Sequence, residues 1–398
     1  MIKRINLIGF VGLFLILGVI PISSESHPID VLICTYDMGD KKNLLPLIFK
    51  LKKKVPGQQQ GIRYKILAFG ASKSSLKTHP ALLDFKTQKG THYFKPTETL
   101  SSQELIQLDQ KVAPKIVVSG MSSKIQAQLL NHFKSKGAQT VAFYNGMDAL
   151  DFKSRTETFF QEISLIDAYM VPHKDLIESL QKKLNAKHQT AEIIVTGQPA
   201  LEEWDKAFAK TDTETLRTRL KLDPKKKTIL FLGESHKSYK DEYPTYLKIF
   251  FESIRPLSNT QVLIVLYPKG GGNLERTEAE GLPHVRVVEL KGISLYQLAS
   301  IADLIVTYKA PIGVQALYKG IPVIYVAEPS YQNFMIHKGF APQISEATAL
   351  RAAIEGSLSS SSHTIENMAE KIGLPRNGTD IMADYVQRKI FEDSRKGS

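Results

Sequence analysis

The segment from Ala299 to Val326, ASIADLIVTYKAPIGVQALYKGIPVIYV, constrains the fold more than any other part of the chain. Leu304–Thr307 and Val323–Val326 are short apolar runs of the kind buried on both faces of a parallel sheet. Tyr308 to Gly313 lead into a helix between them that carries Val314, Ala316 and Leu317. Pro311 suits the first turn of that helix and Gly320 its end. Right-handed crossover geometry makes the two strands neighbours. A helix that starts just past the carboxyl end of a strand turns bare N–H groups and a positive dipole end toward that point, which favours an anionic ligand.

The pattern resembles the donor-site unit of glycosyltransferases and sugar-nucleotide 2-epimerases built from two Rossmann-like halves, the GT-B fold. There an A-D-x-x-(I/V)-(T/S) strand leads through a small-residue turn to a helix and then to G-x-P-V-(I/L). Ala302, Asp303, Thr307, Gly313, Gly320, Pro322 and Val323 stand at the matching places. Gln315 takes the place of the ribose-binding Glu, and Lys309, Ala310 and Pro311 replace the usual Ser or Gly-Gly.

The rest of the chain repeats the resemblance in partial form. CTYDMGDKKNLLPLIFKLKK resembles the opening of the 2-epimerases in its helix, through Leu45, Pro46, Leu47, Ile48 and Leu51, but not in its loop, where the family's Arg is missing and Asp37 or Asp40 stands nearby. PKIVVSGMSSKIQAQLLNHF matches a later strand and helix, with Met121 where the epimerases carry an acid. Asn145, Gly146, Met147 and Asp148 stand in place of Glu-Ala-Gly, and Val195, Thr196, Gly197, Gln198 and Pro199 echo the V-T-G-N-P that closes the first domain.

The expected architecture is therefore α/β, with two doubly wound Rossmann-like domains facing a central cleft. Residues 27–199 form the first, 200–223 a linker helix and 224–356 the second. Residues 357–398 begin with a Ser-rich loosening of the chain and continue as helices; the resemblance implies that these pack back on the first domain. A length of 398 residues suits two domains. Cys34 is the single cysteine, so no intramolecular disulfide forms, and its apolar surroundings read as those of a buried, inert thiol.

Lys3 and Arg4 precede an uncharged stretch from Leu7 to Ile22, followed by small residues from Ser23. This is the layout of a secretory signal, with a signal anchor through residues 5–22 as the alternative. Either places the globular part outside the cytoplasm, periplasmic, secreted or held at a membrane. The net charge of +12 favours anionic partners such as nucleotide diphosphates, acidic lipids or acidic glycans. No nucleic-acid-binding motif accompanies it.

Under the resemblance the second half binds a nucleotide-sugar co-substrate, with UDP the expected nucleotide and no further cofactor. Lys309, Lys269 and the turn Pro311, Ile312 and Gly313 would meet the diphosphate. Ser235, His236 and Lys237 would close the other side, Gly292 and Ile293 would hold the base through their backbone, and Gln315 would reach the ribose. A base for the acceptor hydroxyl should come from the first half. Asp37, Asp40 and Asp148 all follow strand carboxyl ends, although Asp is equally at home there as a turn or cap residue. His173 and His236 are further candidates. The absence of an Asp-rich motif points to metal-independent transfer, and no Walker loop, G-x-G-x-x-G or G-x-S-x-G is present. Three functions remain open: a glycosyltransferase acting on an unknown glycan, lipid or other acceptor, an exported glycan- or nucleotide-binding protein that has lost catalysis, and a UDP-GlcNAc 2-epimerase.

Overall fold

The computed structural model describes residues 28–52, 61–148, 150, 156–234, 239, 241–267, 272–310, 312–359 and 368–396. The apolar leader expected as a signal or anchor lies outside them. Among the described residues no helix is long and apolar enough to cross a membrane.

Two parallel sheets of six strands each organise the chain. The first consists of β1 (Pro28–Thr35), β2 (Tyr64–Ala68), β3 (Ala113–Gly120), β4 (Gln139–Phe143), β5 (Ala168–Val171) and β6 (Glu192–Val195), in the order β2-β1-β3-β4-β5-β6. The second consists of β7 (Lys227–Leu232), β8 (Thr260–Val265), β9 (Val285–Val288), β10 (Leu304–Thr307), β11 (Val323–Val326) and β12 (Gln343–Ile344), in the order β12-β11-β10-β7-β8-β9. Every strand pair is parallel, as the short, doubly buried runs require. Helices cover both faces, so each sheet separates two apolar clusters.

Both sheets reverse winding direction beside their first strand. The reversal lies between β1 and β3 in the first sheet and between β7 and β10 in the second. Ligands of open α/β sheets bind outside the carboxyl ends of the strands at such reversals. These two points frame the cleft.

The linker differs from the single helix expected over 200–223. It is two helices, Pro199–Lys210 and Thr213–Arg219. Asp212 breaks it by capping the second: its carboxylate accepts the N–H groups of Glu214 and Thr215 at 3.1 and 3.0 Å. The serine run also begins inside regular structure, because the helix Ala347–Ser359 continues into it. Ser359 Oγ folds back onto the carbonyl of Glu355 at 2.7 Å.

The last helix, Gly378–Lys396, returns to the first sheet. It buries Met382, Ala383, Tyr385, Val386 and Ile390 among residues of β1, β3 and β4, and Tyr385 donates to Glu192 of β6 at 3.0 Å. The chain therefore crosses between domains twice, near Gly197 and near Gly378. The two crossings touch. A Cβ on Gly197 would run into the carbonyl of Pro375, and one on Gly378 would stand 2.6 Å from that of Thr196.

Candidate active site in the interdomain cleft

The cleft holds two adjoining chambers. One, of about 450 Å³, lies between the domains and is walled by Met38, Asn43, Asn145, Asp148 and Gln198 on one side and by Gln315, Tyr325, Tyr331 and Phe334 on the other. The second, of about 400 Å³, sits on the reversal of the second sheet. It is lined by Leu232, Gly233 and Glu234 after β7, Val265 to Tyr267 after β8, Ala310 and Ile312 after β10, and Trp204, Tyr296 and Leu290. Lys42 and Gln315 border both chambers.

The reversal of the first sheet is filled from within. Asp37 and Asp40 close a capping box on the helix Met38–Leu51, and Asp37 Oδ1 accepts the N–H of Asp40 at 2.8 Å. Asp40 is completely buried. Its carboxylate accepts from Tyr36 N at 3.0 Å, Gln126 Nε2 at 2.8 Å and Asn145 Nδ2 at 3.0 Å, which joins the loops after β1 and β4 to the helix Lys124–Ser135 that follows β3. Gly120, the last residue of β3, packs so closely that a Cβ there would enter the carboxylate. Burial, reinforced by the charge of Asp37, pushes the Asp40 carboxyl up to about 7, against the opposing pull of its donors. Asp40 does not line the cleft. It holds together the loops that do.

Asp148 is presented to the cleft. The hydroxyl of Tyr144 donates to its main-chain carbonyl at 2.8 Å, and its Oδ1 accepts the N–H of Phe334 in the second domain at 2.7 Å. Burial raises its carboxyl above the usual range. Asp37 stands behind Met38 and Gly39, within 3.4 Å of Asn145 Nδ2. Of the three expected acids, Asp148 alone borders either chamber. His173, completely buried, donates through Nε2–H to the carbonyl of Met147 at 3.0 Å.

In the second domain Lys309 borders the interdomain chamber with its ammonium already engaged. It pairs with Glu242 at 2.9 Å and with Glu328, over the rings of Tyr239, Tyr308 and Tyr331 at 5.3, 4.9 and 5.5 Å. The hydrogen bonds to these carboxylates raise its pKa despite burial. Its φ of 35° is a left-handed conformation for a residue with a long side chain. In this conformation Lys309 stitches loops after β10 and β11 to the helix Tyr243–Ile254, whereas the resemblance implies a diphosphate ligand there.

Gly313 opens the six-residue helix Gly313–Tyr318, and a Cβ there would strike the hydroxyl of Tyr325. Ile312 lines the second chamber. Ile293 is buried in the core, and Gly292 has a φ of 69°. Arg219, which sequence reasoning did not single out, grips this loop through the carbonyls of Gly292 and Lys291 at 3.2 and 3.3 Å. Ser235, His236, Lys237, Lys269 and Pro311 lie outside the described residues. Among the described residues no three His, Cys, Asp or Glu side chains cluster to hold a metal.

The sequence also gave no prominence to Lys42, Trp204 or Tyr296. Trp204, the chain's single tryptophan, comes from the helix Pro199–Lys210 and meets Tyr296 edge-on at 4.8 Å. Together they wall the second chamber. The ammonium of Lys42 has no hydrogen bond or ion pair among the described residues, and it is the cation that both chambers share.

No protein-family model matches the sequence, and neither does any curated protein sequence. Solved structures do match the fold. The UDP-GlcNAc 2-epimerase of Neisseria meningitidis bound to UDP-GlcNAc superposes with a TM-score of 0.64 at 14% identity, covering 90% of this chain and 100% of that one. The UDP-GlcNAc 2-epimerase of Methanocaldococcus jannaschii gives a TM-score of 0.63 at 13% identity, again over 90% and 100%. The wall teichoic acid polymerase TagF gives 0.56 at 13% identity, over 92% of this chain and 90% of that one. With two six-stranded parallel sheets and a cleft between their reversals, the chain has the GT-B fold.

Proposed function

We propose that the protein is a glycosyltransferase that takes a sugar from a nucleotide-sugar donor, UDP-linked in the first instance, and passes it to a glycan or lipid acceptor. The observation that carries this reading is the pair of chambers meeting at Lys42 and Gln315. Each has the volume of a small-molecule site. The second, walled by Trp204 and Tyr296, suits a flat base. Gln315 then falls at the ribose, Lys42 at the diphosphate, and the sugar lies toward Asp148 in the interdomain chamber. There Asp148 takes the proton of the acceptor hydroxyl as that oxygen attacks the anomeric carbon. The bond to the diphosphate breaks with its electron pair, and Lys42 offsets the charge that develops. Export directed by residues 5–22 is part of the proposal.

Calorimetric titration of the protein with UDP, GDP, CDP and their common sugar conjugates tests it. One nucleotide should bind, and at 100 times its Kd should add about 2.7 kcal/mol of stability. Lys42→Ala should weaken that binding by about tenfold or more, the worth of one charge-assisted hydrogen bond. Absence of binding by every nucleotide would sink the reading.

A second reading, an exported binding protein without catalysis, draws on the engaged ammonium of Lys309 and the neutral Gln315. It predicts binding of a nucleotide or glycan with no turnover of any sugar donor.

A further inference from the structure

The helix Met38–Leu51 runs away from the wall of the interdomain chamber with one side open to solvent. Its other sides are taken. Lys50 pairs with Asp380 of the last helix, and Asn43 Oδ1 accepts the N–H of Ala200 at 3.0 Å. Lys41 Nζ reaches the carbonyl of Ser75, at the end of the helix Gly70–Ser75, at 3.5 Å. Between these contacts Met38, Leu45 and Phe49 form a row: the spacing i, i+7 and i+11 keeps them within about 20° of one line, about 16 Å long. Met38 is 40% exposed and Phe49 63%, with Leu45 half-buried between them. The outer face of a surface helix is ordinarily polar. One exposed apolar side chain calls for no explanation, but two of the six large ones exposed among the described residues share this row.

Cations flank the row. Lys42 and Lys52 are exposed and Lys41 is half-buried, and none of the three ammonium groups pairs with a carboxylate among the described residues. Lys52 Nζ lies over the rings of Phe49 at 6.0 Å and Tyr64 at 5.8 Å. Burial, together with the charges of Lys52 and Lys41, holds the His79 imidazole below its usual range, so the surface between them is positive. The sequence continues the charge with Lys53 and Lys54.

We propose that this face docks on a bilayer of anionic phospholipid: Phe49 and Leu45 enter the interface, Lys41 and Lys52 meet the headgroup phosphates, and Met38 brings the interdomain chamber to the membrane. An apolar row rimmed by lysines binds such a surface through both terms, buried apolar area and attraction to anionic lipid. The lysine stems can lie along the apolar row while their ammonium groups stay among the headgroups. A second copy of the chain fits the face less well, because a twofold contact would set Lys41 and Lys52 against the same charges.

The leader points the same way. The helix runs back against β1, so it ends beside the start of the sheet: Lys52 lies over Tyr64, the first residue of β2, which pairs with Val31 of β1. The uncharged stretch from Leu7 to Ile22 closes shortly before β1 begins at Pro28. A leader held in a membrane would deliver the chain to the sheet at the Phe49 end of the face. The consequence for the substrate rests on the transferase reading above: of the acceptors it allows, one carried by a membrane lipid reaches the chamber past Met38 without leaving the bilayer surface. The docking itself needs neither donor nor acceptor.

Phe49→Trp in the full chain reports the contact. The parent's single tryptophan, Trp204, is buried and gives a constant background. An inserted leader would hold every variant on vesicles alike, so the readout is quenching at position 49 and not binding. On vesicles of phosphatidylcholine mixed with acyl-brominated phosphatidylglycerol, the added tryptophan should shift to the blue and lose about half or more of its emission, while the parent changes little. Adding Lys41→Glu and Lys52→Glu should remove most of that quenching, as should about 1 M salt, where the screening length is about 3 Å. Urea midpoints matching that of Phe49→Trp alone would show that the charge variants are folded.

No quenching, or quenching indifferent to the two lysines and to salt, would overturn docking on anionic lipid. Emission that shifts with protein concentration in the absence of vesicles would assign the face to a second copy and overturn it as well. Quenching as expected, with no nucleotide bound in calorimetry, would refute the transferase reading and leave the membrane face standing. Nucleotide binding without quenching would do the reverse.

Discussion

Asp148 Oδ1 accepts the backbone N–H of Phe334 at 2.7 Å, and this bond ties the loop after β4 in the first domain to the helix Phe334–His337 in the second. One carboxylate thereby borders the cleft and fixes its width. Three other bonds hold the start of the linker to the first domain and the last helix: Gln198 Nε2 to the Asn145 carbonyl at 2.7 Å, Ala200 N to Asn43 Oδ1 at 3.0 Å, and Thr379 N to Glu202 Oε1 at 2.6 Å.

Replacing Asp148 should therefore loosen the junction as well as remove a candidate base. A hydrogen bond to a charged group contributes about 1.5–3 kcal/mol, and Asp148→Ala should cost an amount of that order in urea unfolding. Asp148→Asn keeps an oxygen for the Phe334 N–H and should cost less. If both variants unfold like the parent, the bond does not hold the domains.

Gly313 is where the donor-site motif and the packing coincide. A Cβ there would strike the Tyr325 hydroxyl and stand 2.8 Å from its ring Cζ. Gly313→Ala should be destabilised by about 1–3 kcal/mol, the usual cost of overpacking. Combining it with Tyr325→Phe should recover only part of this, because the ring remains. Full recovery would mean that the hydroxyl alone sets the constraint, and no loss in the single variant would contradict the close approach. Thermal unfolding reads all three.

Lys309 offers a test in which two effects oppose. Alanine and glycine there both remove the ammonium from Glu242 and Glu328. Only glycine also relieves the left-handed φ of 35°, a strain of about 1 kcal/mol for a residue with a Cβ. Lys309→Gly should be the more stable of the two, but by less than that amount, because glycine makes the unfolded chain more flexible and takes back part of the gain. If alanine is the more stable, the backbone has relaxed in the variants or the strain is small.

How far the sequence speaks can be judged from these same residues. Leu304–Thr307 and Val323–Val326 are strands at the residues expected, because a short apolar run buried on both faces has sharp ends. β12, at the sheet edge, is two residues long and carries no apolar periodicity to announce it. Asp37 and Asp40 share one local pattern, and only tertiary structure shows that Asp40 turns inward to Gln126 and Asn145, more than 80 residues away in the chain. Lys42 and Trp204 were silent for the same reason: a lysine on a helix and a tryptophan in a linker acquire meaning only when two domains meet around them.

Asp40 gives the last prediction, and its sign follows from proton linkage. Its carboxyl titrates near 7 in the folded protein, against about 3.9 for an unperturbed aspartate. The folded state therefore binds more protons than the unfolded state between these values, and stability falls as pH rises through that window. The contribution is whole below about pH 4 and is lost as pH passes about 7. Asp148, also raised by burial, adds to this fall, while His173, lowered by burial, opposes it below its unperturbed value of about 6.5. The contribution of Asp40 is isolated by difference. Urea midpoints of the parent and of Asp40→Asn, measured from pH 4.5 to 8, should converge as pH rises, because only the parent must ionise a carboxyl inside the loop junction. Asn carries no titrating group, but turns one of its amide hydrogens toward the donors of Tyr36, Gln126 or Asn145, so the variant should start less stable at low pH. A gap between the two that stays constant across the range would show that Asp40 keeps the same charge throughout. A gap that widens with pH would reverse the sign, and would mean that the donors around the carboxylate outweigh its burial.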